Sequence, residues 1–155
     1  MNHRIRAAAI ITQANKILLV QHIHPETKKE WWVPPGGGVE SKDKTVFDCV
    51  KREVFEETGL QVVLAGVVYI REFIDLENNE RNLELFINTA GFSGEPTMIN
   101  VKGAGPDEHF IRDVKWISRE DMADLVVYPE ILKIGFWKDL SEGFPITKYL
   151  GAQTG

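Results

Sequence analysis

Hydrophobic residues along this chain recur with two different periods, and the switches between them outline the fold. Residues 4–12 (RIRAAAIIT) and 16–24 (KILLVQHIH) are dense in aliphatic side chains and are separated by the turn-like Gln13, Ala14 and Asn15. They read as two strands of a hairpin. After the polar run HPETKKE comes WWV at 31–33, a short aromatic strand stopped by Pro34 and Pro35, because proline cannot donate to a sheet ladder. A helical period follows, with Val46, Phe47, Val50 and Val54 in one arc at about 100° per residue. Thr45 can cap the start of that helix, and Gly59, tolerant of a left-handed turn, can close its end before Leu60.

Beyond Gly59 the strand period returns. Residues 61–75 (QVVLAGVVYIREFID) and 83–93 (LELFINTAGFS) form an antiparallel pair around the polar loop ENNERN at 77–82. Residues 111–117 (IRDVKWI) make a further strand, and Ser118 opens SREDMADL as a capping box, with Asp121 where glutamate or glutamine is usual. Pro129 suits the first turn of a last helix, PEILKIGFWKDL, closed by Gly143 and Pro145. The order is strands, one central helix, more strands, then helices. It predicts a single α/β domain over residues 1–155, a mixed sheet with helices on its faces, the helix and tail from about residue 129 packing on the rest.

Composition narrows what such a domain does. The net charge of −5 disfavours a bare electrostatic grip on nucleic acid or on an anionic membrane, so any polyanionic ligand needs a cation to mediate. Cys49 is the sole cysteine, which excludes an intrachain disulfide and points to a reducing compartment. No apolar run approaches the roughly 18 residues that cross a bilayer, and Met1 leads straight into a strand pattern. A cytoplasmic, membrane-free protein is expected. Oligomeric state is not legible, with a homodimer left open.

Charge placement in the helix breaks two local rules. Glu53, Glu56 and Glu57 lie in its last turns, where acids oppose the backbone dipole at about 0.3–1 kcal/mol each, and Glu53 with Glu57 is a like-charged pair four residues apart. All three fall within an arc of about 100° bordering the apolar stripe, so their carboxylates converge at the edge of the core. Clustered hard oxygen ligands suit Mg²⁺ or Mn²⁺, which would turn repulsion into attraction. Arg52 is placed to support one carboxylate by a bidentate pair. A solvated acidic face is the plain alternative. Just upstream, Gly36, Gly37 and Gly38 allow positive φ and close approach, as in phosphate-binding loops. Arg6 and Arg71, on strands that could line a cleft, are candidates to pair with phosphate, and cross-strand salt bridging accounts for them equally well.

Taken together, GGGVESKDKTVFDCVKREVFEETGL resembles the signature of the MutT-like Nudix hydrolases: Gly, five residues, Glu, seven residues, then Arg-Glu-aliphatic-any-Glu-Glu-any-Gly-aliphatic. REVFEETGL at 52–60 matches every position of the second half, WWVPPGGGVE is similar to the family's entry segment, and DEHFIRDVKWISRED is similar to its closing strand and short helix. The signature's first glutamate is missing: counted back from Arg52 the position is Lys44, counted forward from Gly37 it is Asp43. Either Asp43 replaces that acid or Lys44 holds a phosphate as a point charge.

The resemblance implies an α/β/α sandwich and hydrolysis, with Mg²⁺ or Mn²⁺, of a diphosphate linkage in a nucleoside diphosphate joined to another moiety. Glu53, Glu56 and Glu57 are then metal ligands, one sharing the role of base, Arg52 belongs to the catalytic group, and Glu108 is the candidate late-chain acid. A nucleotide-binding or sensing module on the same fold is the alternative, and an isomerase of allylic diphosphates is disfavoured because Cys49 lies inside the helix. His22 and His24 share a strand face without a third ligand, and Trp31, Trp32 and Phe73 are candidates for base stacking or plain packing. Specificity is expected in residues 24–30, 76–82 and 100–109.

Overall fold

The computed structural model of the protein describes residues 1–101 and 110–155. Two layers of strands pack together, the larger mixed and the smaller antiparallel, with one long helix beneath the larger. The larger sheet has the strand order β5-β1-β7-β6-β9, from β1 (Asn2–Ile10), β5 (Gly36–Gly38), β6 (Gln61–Asp75), β7 (Glu80–Ser93) and β9 (Lys148–Thr154). β1 runs parallel to β7 along its whole length and antiparallel to β5, while β6 pairs antiparallel with β7 and parallel with β9. The smaller sheet is centred on β3 (Lys16–Ile23), which pairs with β2 (Thr12–Gln13), β4 (Glu30–Val33) and β8 (Ile111–Ser118).

The helix α1 (Val46–Thr58) starts and stops where its caps dictate. The Thr45 hydroxyl accepts from the Asp48 amide, the Asp48 carboxylate accepts from the Thr45 amide, and Gly59 ends the helix at φ 74°. Its apolar stripe of Cys49, Val50 and Val54 packs with Ala7, Ala9, Leu18, Leu60 and Ile87 in a core on one face of the larger sheet. A second core fills the space between the sheets, with Tyr69, Phe86, Trp32, Leu19 and Phe136 at its centre. Trp32 is therefore a core residue, whereas Trp31, one position along the strand, faces outward and stacks on His22 at 5.5 Å between centroids.

Two sequence expectations need correction. The first two strands are not one hairpin: the chain bends at Ile11, β1 joins the larger sheet, and only Thr12–Gln13 turns back onto β3. Both segments bury side chains on both faces, so local alternation carried no signal of which partner each would take. The last helix is broken: Gly135 at φ 98° separates a 3-10 turn (Glu130–Leu132) from α3 (Phe136–Ser141), and α2 (Arg119–Met122) is one turn capped by Ser118. Beyond it the tail adds a strand that the sequence pattern does not show, since Lys148–Thr154 forms β9 along β6. No helix among the described residues is long and apolar enough to cross a membrane.

Candidate active site

The carboxylates of α1 gather where the helix crosses β5. The glycines of β5 are not the loop that the sequence suggests; they pair with Arg6, Ala7 and Ala8 of β1 as the edge of the larger sheet. Their small size serves close approach. A Cβ at Gly37 would lie 2.5 Å from the Glu53 carboxyl carbon, and one at Gly38 would collide with the Arg4 guanidinium. With no side chains on β5, the sheet edge is one backbone thick. Carboxylates on the α1 face and arginines on the other are then separated by that single backbone, and the Arg6 charge weakly favours the ionised form of Glu53.

Each acid has its own support. Glu57, 4% exposed, accepts a hydrogen bond from the Gly36 amide at 3.0 Å. Arg52 organises the rest: Nη1 donates to Glu53 at 2.9 Å and reaches Glu56 at 3.5 Å, while Nε and Nη2 grip both oxygens of Asp43 at 3.0 and 2.8 Å. The bidentate partner of Arg52 is thus Asp43, and Lys44 is exposed with no bond to any described residue. That hydrogen-bonded pairing holds the Asp43 carboxyl down to about 2 and drives the guanidinium pKa up. Glu53 moves the other way, because burial pushes its carboxyl up more than Arg52 pulls it down. Cys49, buried behind them, has its thiol raised to about 11 by burial and is no nucleophile at neutral pH.

Among the described residues no three His, Cys, Asp or Glu side chains are gathered closely enough to hold a metal without adjustment. The donor set still fits a hard divalent ion. It is all oxygen, and Arg52 alone faces Glu40, Asp43, Glu53 and Glu56 within 4.0 Å. Glu53 is also desolvated, so a cation beside it would relieve a charged form that burial disfavours. Glu108 lies outside the described residues. A groove of about 420 Å³ on the flank of α1 includes Arg52 in its lining and none of the three glutamates.

The other candidates are scattered. His24 Nδ1 accepts from the amides of Glu26 and Thr27, which makes it a turn cap. The Arg6 side chain makes no hydrogen bond or ion pair with any described residue, and the residue lies directly across from Gly38. Arg71 is committed: it binds Glu84 at 2.7 Å and Gln153, and it lies between the rings of Phe73 and Tyr128. Sequence reasoning missed Arg4, whose alternation with Arg6 was the available signal.

The sequence model of the NUDIX domain matches residues 2–135. The chain belongs to the Nudix hydrolase family. Over 115 residues, 74% of this chain, it is 32% identical to the mRNA-decapping enzyme subunit 2 of Saccharomyces cerevisiae (strain YJM789), and the match spans only 10% of that relative's length. Over 54 residues it is 39% identical to the uncharacterized Nudix hydrolase YvcI of Bacillus subtilis, covering 35% of this chain and 31% of that protein. Among solved structures, the MutT Nudix hydrolase of Burkholderia pseudomallei superposes with a TM-score of 0.67 at 25% identity, over 83% of this chain and 92% of that one. An ADP-ribose pyrophosphatase of Streptococcus suis shares the fold over 98% of each chain, with a TM-score of 0.55 at 22% identity. The mixed larger sheet and the long helix match the Nudix hydrolase fold.

Proposed function

We propose that this Nudix domain hydrolyses a diphosphate linkage in a small nucleotide-type substrate, with Mg²⁺ or Mn²⁺ as cofactor. The carrying observation is the surplus of carboxylates around one guanidinium on α1, beside a sheet edge of glycines. Glu53, Glu56 and Glu57 would hold the cation, with Glu108 as a further candidate ligand. Such a cation neutralises phosphate charge and makes water a better nucleophile at neutral pH.

The chain's own groups do the positioning. Arg52 fixes Glu53 and Asp43 in one plane of hydrogen bonds, and the Gly36 amide fixes Glu57, so neither glutamate has to be ordered during the reaction. Arg6 and Arg4, across from and against Gly38, are set to receive phosphate oxygens. One of the carboxylates accepts the proton released as water attacks.

The test is a panel of nucleotide sugars, ADP-ribose, NADH, dinucleoside polyphosphates, nucleoside triphosphates and a capped dinucleotide, each assayed with Mg²⁺ and with Mn²⁺. The capped dinucleotide is included because a yeast relative is named an m7GpppN-mRNA hydrolase. Turnover of at least one substrate, abolished by chelation, is expected. Tight metal binding with no turnover anywhere would leave only a binding module.

A further inference from the structure

Three charged side chains stand in a row across the face of the larger sheet away from α1. Register places Arg6 of β1 beside Glu84 of β7, and Glu84 beside Arg71 of β6, each pair one interstrand spacing of about 4.8 Å apart. One carboxylate thus has an arginine on either side, and a flexible glutamate is long enough to reach either. It is not shared. Glu84 binds Arg71 at 2.7 Å, whereas the Arg6 side chain has no ion pair with any described residue.

The way Arg71 is held explains the choice. Its guanidinium lies 5.3 Å from the Phe73 ring centroid and 5.6 Å from that of Tyr128, and Nε and Nη2 both donate to the Gln153 side-chain oxygen. Gln153 is fixed in turn by donating to Glu130 at 2.8 Å. Arg71 is 5% exposed, and a buried charge left without its partner is strongly destabilising. Arg6 is only partly buried, so water can solvate its guanidinium. Glu84 therefore goes to the arginine that most needs a counter-charge.

Arg6 is what this leaves over. It stands across from Gly38 on the strand whose neighbouring Gly37 meets the Glu53 carboxylate, and its charge weakly favours the ionised form of Glu53. A guanidinium beside the acids with no partner in the fold suits phosphate oxygens. Released from Arg71, Glu84 would close on Arg6 and oppose the same phosphate.

We propose that Arg71 is a positioning residue for the reaction: by holding Glu84, it keeps Arg6 open to a phosphate of the substrate. The proposal rests on the reading above that phosphate is bound beside β5, and it adds the pair of charges that keeps the place free. Arg71 acts through Glu84 and touches no substrate itself.

The experiment measures kcat and KM for the panel member turned over fastest, and calorimetric binding of inorganic pyrophosphate, both with Mg²⁺. R71M keeps apolar contact with Phe73 and Tyr128 and frees Glu84, so KM and the pyrophosphate Kd rise about tenfold with kcat little changed, one charge-assisted contact being lost. R6Q gives the same rise, and adding R71M to R6Q gives no further one. E84Q alone raises neither constant. In R71M/E84Q the competing carboxylate is gone, and both constants return to within about threefold of wild type. That recovery decides the matter, because an Arg71 that serves only the fold would leave the double variant at least as impaired as R71M. If R71M does not fold, R71Q takes its place. A folded double variant without recovery, or independent effects of R71M and R6Q, overturns the proposal. If pyrophosphate binding follows the expected pattern while no panel member is turned over, the hydrolase reading fails and the role of Arg71 stands. Neither binding nor turnover in wild type overturns both.

Discussion

Two half-buried polar knots lie at opposite sides of the molecule, and they differ in charge balance. Around Asp139 there is one acid, one base and one hydroxyl: Lys148 and Tyr69 each donate to its carboxylate at 2.7 Å, tying α3 to β6 and β9. Around Arg52 the acids Glu40, Asp43, Glu53 and Glu56 outnumber the bases, Arg52 and Lys42, by four to two, before Glu57 is counted. A balanced knot is satisfied by the fold and serves it. An unbalanced one is stable only in company, and the missing charge marks what the site binds.

Breaking the unbalanced knot should affect catalysis most. Glu57→Gln keeps an oxygen for the Gly36 amide and removes one negative charge. We expect kcat to fall about a thousandfold, since several kcal/mol of transition-state stabilisation are lost, with the thermal midpoint unchanged or raised. Activity near wild type would exclude Glu57 as a ligand, and a midpoint that fell along with activity would make its role structural.

The balanced knot should respond in the opposite way. Asp139→Ala strands the buried Tyr69 hydroxyl, whereas Lys148, 40% exposed, can return to water, so the cost is about 2 kcal/mol, or about 4–8 °C in midpoint. Turnover per folded molecule should not change. Acid sharpens the contrast. Burial pushes the Asp139 carboxyl up, but the hydrogen bonds from Lys148 and Tyr69 outweigh it, and the group sits below its ordinary range. A depressed carboxyl contributes stability fully above its unfolded pKa of about 3.9 and loses it as pH falls through the folded value. Urea midpoints of wild type and Asp139→Ala should therefore stay apart from pH 7 down to about pH 4 and converge below it. A gap that widens with acid would reverse the sign of the argument.

How far the two regions could be read from sequence follows from how local each is. The Arg52 knot is largely a helix and the segment before it, so Thr45, Gly59 and the three glutamates announced it within about 25 residues. The Asp139 knot joins residues 70 apart in sequence, and no periodicity links Tyr69 to Asp139. For the same reason β9 escaped notice, since a parallel edge strand is recruited by a neighbour that sequence does not name. The start of β7 was hidden differently, since Asn82 closes a polar run that reads as loop, yet the turn ends before Glu80 and Asn82 lies buried inside β7. The glycines were legible as small and misread as flexible, because what they accommodate, the Glu53 carboxylate and β1, is distant in sequence.

Within β5 itself the two kinds of role separate by one residue. A Cβ at Gly36 would strike the backbone of Ala7 and Ala8, which cannot yield, so Gly36→Ala should cost about 1–2 kcal/mol of stability. At Gly37 the nearest atoms a Cβ would meet are the end of the Glu53 side chain, which can move. Gly37→Ala should leave the thermal midpoint nearly unchanged and lower kcat about tenfold or more by displacing that carboxylate. Equal losses of stability in the two variants would mean that β5 is strained as a whole and that Glu53 is not the reason for its glycine.

The smallest effect separates the two residues that compete for the signature's vacant acidic position. Asp43 is in the knot by geometry: its side chain is 4% exposed and both oxygens are gripped by Arg52. Lys44, next in sequence, is exposed and touches none of the acids. Lys44→Ala should therefore change stability by less than about 0.5 kcal/mol, as for ordinary surface positions, and kcat/KM by less than about threefold. Asp43→Asn turns one charge-assisted bond to Arg52 into a neutral or repulsive contact, and Glu53 shares that guanidinium, so activity should fall further than for Lys44→Ala. A tenfold rise in KM for Lys44→Ala would reverse this ranking and make Lys44 a phosphate ligand, with the acidic position lost and its charge inverted for substrate binding.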